Sequence, residues 1–146
     1  MMVTKKWLGF AIETEERGIR FYKKALKSTK EKDAKILFSL LLDQEQRHRE
    51  ILMKLDENPE EMLEATEELE EVKMKNTMFE GEQIHDKDLM ELFNEAMDFE
   101  REGYSLYRDI SEKIQENKGK EFFKELSEQE KKHLEKIKNL GKRMLI

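Results

Sequence analysis

Glu45-x-x-His48 recurs as Glu130-x-x-His133, and at the same offset Glu15-x-x-Gly18-x-x-x-Tyr22 recurs as Glu100-x-x-Gly103-x-x-x-Tyr107. The chain has three histidines, and two of them stand inside this repeat. A glutamate and a histidine three apart on a helix share one face about one turn apart, so a single metal ion can touch both. Two such pairs, with Glu15 and Glu100 supplied by two further segments, give four carboxylates and two imidazoles. That is the ligand set of a dinuclear metal site inside a four-helix bundle. Two divalent cations neutralise four carboxylates, so the filled site can remain buried. Without metal the carboxylates would repel one another and resist desolvation, and some would take up protons.

One Glu-x-x-His carries little weight in a chain so rich in glutamate. Two at equivalent repeat positions, both inside an apolar seam, carry much more. Residues 11–55 align with 96–140 without a gap, and the shared residues include Ala11/Ala96, Phe38/Phe123, Leu41/Leu126 and Gln44/Gln129 as well as the six candidate ligands. The pattern is a duplicated helical hairpin.

Apolar residues in each half recur at helical spacing. Segment two reads Phe38, Leu41, Glu45, His48, Leu52, Leu55, and segment four reads Phe123, Leu126, Glu130, His133, Ile137, Leu140, Met144. Segment one runs Leu8, Ala11 or Ile12, Glu15, Gly18 or Ile19, Tyr22, Leu26, and segment three Leu92 or Phe93, Ala96, Glu100, Gly103, Tyr107, Ile110, Ile114. A glutamate interrupts each stripe that should face the core. Turns are expected near Ser28 to Asp33, with Ser, Thr or Asp as caps, and near Gln115 to Gly119, with Asn-Lys-Gly as a left-handed stop. Each turn is equidistant from the two glutamates of its hairpin, which places them at one level. The expected organisation is one all-α domain over 1–146, a four-helix bundle of two duplicated hairpins: a helical hairpin over about 4–56, a crossover over about 57–85 and a second hairpin over about 86–145. Within the crossover, Asn58-Pro59-Glu60-Glu61 reads as a helix start with Asn58 as cap, and Met62, Ala65 or Thr66, Leu69 and Val72 form its apolar side. Asp86 or Asp88 should begin the third long segment.

Composition narrows the function. The net charge of −6 with interspersed acids and bases offers no basic face to nucleic acid or anionic lipid. No apolar run spans a membrane and no secretory leader is evident, so a cytoplasmic location is expected. The absence of cysteine excludes disulfides, zinc thiolates, iron–sulfur centres and thiol catalysis, so any transition metal must be held by nitrogen and oxygen. One proline and six glycines favour long helices. His85 and the acids of Glu60 to Glu71 read as solvated surface, and the methionines as core filling.

Through Glu15 with Gly18, Phe21 and Tyr22, Glu45-x-x-His48, Glu100 with Gly103 and Tyr107, and Glu130-x-x-His133, the chain resembles the rubrerythrin-like branch of the ferritin-like diiron-carboxylate proteins, without the rubredoxin module. The resemblance implies two iron ions bridged by Glu45 and Glu130, with Glu15 and His48 completing one and Glu100 and His133 the other. It implies that Tyr22 and Tyr107 bond to terminal carboxylates. It further implies an oxidoreductase that reduces hydrogen peroxide or dioxygen, a separate electron donor such as a rubredoxin, and a homodimer. Gly103 departs from the family, which carries an additional glutamate there. Manganese or zinc would suit the same donors, which leaves a dimanganese catalase-like site open, and a non-catalytic iron-binding or storage protein is the other alternative.

Overall fold

The computed structural model describes residues 2–79 and 81–146. Among the described residues the elements are α1 (Met2–Ser28), α2 (Lys32–Glu57), a 3-10 turn (Pro59–Glu61), α3 (Met62–Val72), α4 (Lys87–Lys113) and α5 (Asn117–Met144). The antiparallel hairpins α1/α2 and α4/α5 face each other as a four-helix bundle, and α3 crosses outside it against α5 and α2. At 26–28 residues each long helix extends about 40 Å, long enough to hold an apolar layer on either side of a central polar one. No described helix is long and apolar enough to cross a membrane.

Two of the helix starts are capped by acidic side chains. The Glu31 carboxylate accepts from the Ala34 amide at 2.7 Å and opens α2; Asp86 accepts from Leu89 at 3.0 Å and opens α4. Such caps satisfy an amide that would otherwise lack a partner, and each contributes about 1 kcal/mol. The first turn is therefore capped by a glutamate and not by Ser28, Thr29 or Asp33. Asp33 instead accepts from the Gly81 amide at 2.6 Å, tying the crossover to the α1/α2 turn. The expected left-handed stop at Gly119 is also corrected, since no described residue has positive φ. Gly119 lies inside the first turn of α5, where a Cβ would meet Ile114 Cγ2 at 2.9 Å, so its role is close approach. Asn58 makes no side-chain cap; Pro59 begins a 3-10 turn instead. Further on, Ile84 pairs with Leu145 in a parallel bridge, and the Ile84 and Ile146 amides donate to Met144 O and Ile84 O.

The seam of α1 is Leu8, Ala11, Glu15, Gly18, Tyr22 and Ala25, all buried; small residues win over Ile12, Ile19 and Leu26 because the helices approach closely there. The apolar core is split in two. One cluster contains Leu8, Leu52, Leu55, Leu69, Tyr107, Phe122 and Phe123, and the other Tyr22, Leu37, Phe38, Phe93, Ile137 and Leu140. Between them runs the layer of buried glutamates and histidines.

The two repeat glycines border that layer unequally. A Cβ on Gly18 would lie 2.8 Å from both Glu45 Oε2 and Phe99 Cζ, whereas on Gly103 its nearest neighbour would be Glu130 Oε2 at 3.4 Å, an ordinary contact. Gly18→Ala is predicted to destabilise by about 1–3 kcal/mol through overpacking. Gly103→Ala should be neutral or stabilising by up to about 1 kcal/mol, since alanine favours helix. Thermal melts of the two variants check this; equal effects would contradict the asymmetry.

Candidate metal centre

All six candidate ligands converge at one level of the bundle, and none is more than 2% exposed. Glu15 comes from α1, Glu45 and His48 from α2, Glu100 from α4, Glu130 and His133 from α5. Two groups have donor atoms all within 4.8 Å of one another: Glu45, Glu100, Glu130 and His133 in one, Glu15, His48 and Glu130 in the other. Glu130 belongs to both. Glu45, expected on the same footing, belongs only to the group that contains His133.

The histidine rings stack at 5.9 Å and 15°, each turning Nδ1 toward the carboxylates. His48 Nδ1 lies 3.3 Å from Glu15 and 3.5 Å from Glu130; His133 Nδ1 lies 3.6 Å from Glu100, 3.8 Å from Glu130 and 3.9 Å from Glu45. Tyrosine hydroxyls brace the layer crosswise between the hairpins. Tyr22 donates to Glu100 Oε1 at 2.6 Å, and Tyr107 donates to Glu15 Oε1 at 2.9 Å. Each tyrosine comes from a different apolar cluster, so the layer is closed on both sides.

Electrostatics follow from burial. Desolvation, reinforced by Glu130 and Glu15, pushes the Glu45 carboxyl well up, and desolvation with Glu130 does the same to Glu100. Glu130 goes the other way: burial opposes its ionisation, but the neighbouring Glu100 carboxyl and the His133 and His48 rings outweigh burial and hold it below the usual range. His133 is disfavoured as a cation by burial, yet the Glu100 and Glu130 carboxylates prevail and raise it to about 9. His48 is raised in the same way, burial being overcome mainly by Glu15. Burial and neighbouring carboxylates also push both tyrosines up, so at neutral pH they keep their protons and can donate to the carboxylates.

Six buried atoms of this layer make no hydrogen bond: Glu15 Oε2, Glu45 Oε1, Glu100 Oε2, both oxygens of Glu130, and His133 Nδ1. Buried polar atoms are nearly always paired, so a group of orphans converging at one level calls for another partner. Their chemistry, five carboxylate oxygens and an imidazole nitrogen, fits cations that accept oxygen and nitrogen together. The cluster could hold metal.

A family model described as Rubrerythrin matches residues 6–141. The chain belongs to the rubrerythrin family. No curated protein and no solved structure gives a significant match. Membership of the rubrerythrin family implies iron binding, and the buried Glu/His layer is where these helices could hold it.

Gln44 and Gln129 are repeat identities outside the expected ligand set. Gln129 Oε1 lies 2.6 Å from His48 Nε2, and Gln44 Oε1 lies 3.3 Å from His133 Nε2, each crossing to the opposite hairpin. Their recurrence immediately before Glu45 and Glu130 was the available signal. His85 is exposed, with Nδ1 2.8 Å from Ile146 O, and stands apart from the centre.

Two predictions follow from these protons. In metal-free protein, His133 retains its proton up to about 9 against about 6.5 unfolded, so its stabilisation is complete below about pH 6.5 and lost toward 9. The raised Glu45 and Glu100 act in the same direction. The melting temperature should therefore fall between pH 6.5 and 9 in chelator, while the gain on adding ferrous ion grows, because metal displaces those protons. Scanning fluorimetry at three pH values checks both trends. Separately, Tyr22→Phe strips Glu100 of its donor, and Tyr107→Phe strips Glu15. Each should cost about 1–3 kcal/mol in denaturant titration, more than Tyr104→Phe at a half-buried position away from the layer.

Proposed function

We propose that this chain is a non-haem diiron redox protein that reduces hydrogen peroxide or dioxygen with electrons from a separate donor protein such as a rubredoxin. The observation that carries the reading is the convergence of four carboxylates and two imidazoles, with six unpaired donor atoms, in one buried layer. Glu15 and His48 would serve one iron, Glu100, Glu45 and His133 the other, and Glu130 both. Iron bound there supplies electrons to the oxidant and a Lewis-acidic seat for its O–O bond.

The chain's own residues do the rest. Four carboxylates offset the charge of two ferrous ions, which is what lets the pair be buried. The two apolar clusters exclude bulk water and limit side reactions. Tyr22 and Tyr107 hold the terminal carboxylates by donated hydrogen bonds and so fix their orientation. Peroxide reduction consumes two electrons and two protons and yields two waters, so the donor must deliver two electrons per turnover. This chain has no cysteine to carry an iron–sulfur or thiol relay of its own, which supports an external donor. At Gly103 there is no carboxylate to offer as a further ligand, so the reading uses six ligands and no ligand exchange at that position.

Metal analysis of natively purified protein should give about two irons per chain. Anaerobically reduced protein should develop near-ultraviolet absorption within seconds of adding peroxide or oxygen. Reduced, iron-loaded protein inert to both oxidants would overturn the redox reading, and a full complement of manganese that disproportionates peroxide would replace it. Glu45→Gln with Glu130→Gln should lose the metal while leaving the helical fold intact.

A further inference from the structure

We propose that Gln44 and Gln129 are positioning residues that couple the end of the crossover helix α3 to the metal-facing nitrogen of each histidine. The inference rests on the metal-centre reading above. It starts from four hydrogen-bonding groups that the ligand set does not use. The Gln129 amide nitrogen donates to Leu69 O at 2.7 Å and that of Gln44 to Val72 O at 2.5 Å. Leu69 and Val72 lie in the last turn of α3, whose final four carbonyls have no partner within the helix. No glycine follows in a left-handed conformation to cap them, since α3 runs out into extended backbone at Lys73. The two glutamines act as caps reaching in from α2 and α5, and both are at most 5% exposed.

This arrangement fixes a chain of protons. A backbone carbonyl only accepts, so each glutamine must turn its NH2 toward α3 and its oxygen toward the histidine. Glu125 Oε1, 3.1 Å from the Gln129 amide nitrogen, is another pure acceptor and enforces the same orientation. The amide oxygen also only accepts, so Nε2 of His48 and of His133 must carry the hydrogen. In a neutral imidazole the remaining lone pair is then on Nδ1, the nitrogen turned toward the carboxylates. Helix end, amide, imidazole and metal-facing lone pair form one determined series, made twice and crossing between hairpins. Outer hydrogen bonds of this kind hold a ligand's tautomer and ring plane, and losing one commonly weakens metal binding about 10–100-fold.

Coupling is reciprocal, so bound metal should in turn hold α3 in place. Hydrogen exchange of the wild-type protein, with and without ferrous ion under anaerobic conditions, should show slowed exchange over 62–72 as well as in the four ligand helices. Slowing in the ligand helices with α3 unchanged overturns the inference without touching the metal reading. No metal uptake by the wild-type protein overturns both. Gln129→Met should weaken ferrous binding about 10–100-fold in a competition titration and speed exchange over 62–72. Gln129→Glu keeps an acceptor for His48 Nε2 but cannot donate to Leu69 O, so it should retain more affinity than Gln129→Met while still releasing α3. Equal, wild-type affinity in both variants, with helical content intact by circular dichroism, overturns the proposal. If Gln129→Met does not fold, Gln44→Met and the wild-type exchange comparison decide it.

Discussion

Four carboxylates share one level of an otherwise apolar bundle, and every other feature of the interior answers to that constraint. Isolated from water, each would cost several kcal/mol to leave charged, more than most single packing contacts return. The metal-free molecule copes by redistributing protons: Glu45 and Glu100 resist ionisation, Glu130 is held ionised by its neighbours, and the imidazoles are drawn toward the cationic form. That solution is incomplete, because six donor atoms remain unpaired. A polar network built for stability alone would satisfy itself. One that leaves its donors converging and unpaired could hold a cation.

The rest of the interior is arranged to keep that layer dry and rigid. The two apolar clusters flank it, and a tyrosine from each bonds to a carboxylate of the facing hairpin, Tyr22 to Glu100 and Tyr107 to Glu15. The crossing matters, because contacts within a hairpin would leave the two halves free to slide. Contacts between them set the separation of the ligand pairs. Gly18 has a similar effect at the backbone, since a side chain there would collide with Glu45 and Phe99. The geometry of the layer is thus defined by helix positions, and helices of 26–28 residues are stiff supports.

Much of this was legible in sequence because duplication repeats the signal. A glutamate at a seam position could be noise; Glu15 and Glu100, or Glu45 and Glu130, at one offset could not. The long helices, the shared level of the candidate ligands and a start of α4 at Asp86 or Asp88 follow from spacing and capping chemistry alone, and the structure selects Asp86. What was not legible depended on contacts between remote segments. Gly119 looked like a helix stop because Asn-Lys-Gly commonly is one, but the packing of Ile114 against it determined its use. Glu31 caps α2, while Ser28 Oγ donates to Lys24 O, Thr29 Oγ1 accepts from the Glu31 amide and Asp33 accepts from Gly81 far along the chain. Gln44 and Gln129 were visible as repeats, yet their function depends on carbonyls of α3, an element outside the duplication.

That last relation bears on how a symmetric site can use an asymmetric crossover. The hairpins supply two equivalent glutamines from opposite sides of the bundle, whereas α3 occurs once and has no counterpart. A single helix end can still serve both, because Leu69 O and Val72 O are three residues apart, about 4.5 Å along the axis and on nearly the same face. One turn of helix therefore presents two acceptors to two converging amides. The price in symmetry shows in the distances: His48 to Gln129 is 2.6 Å, and His133 to Gln44 is 3.3 Å. The same inequality recurs in the donor groups, where His133 is surrounded by three carboxylates and His48 by two. A crossover without internal symmetry thus gives the two halves of a duplicated site different environments, and two metals held there would not be equivalent.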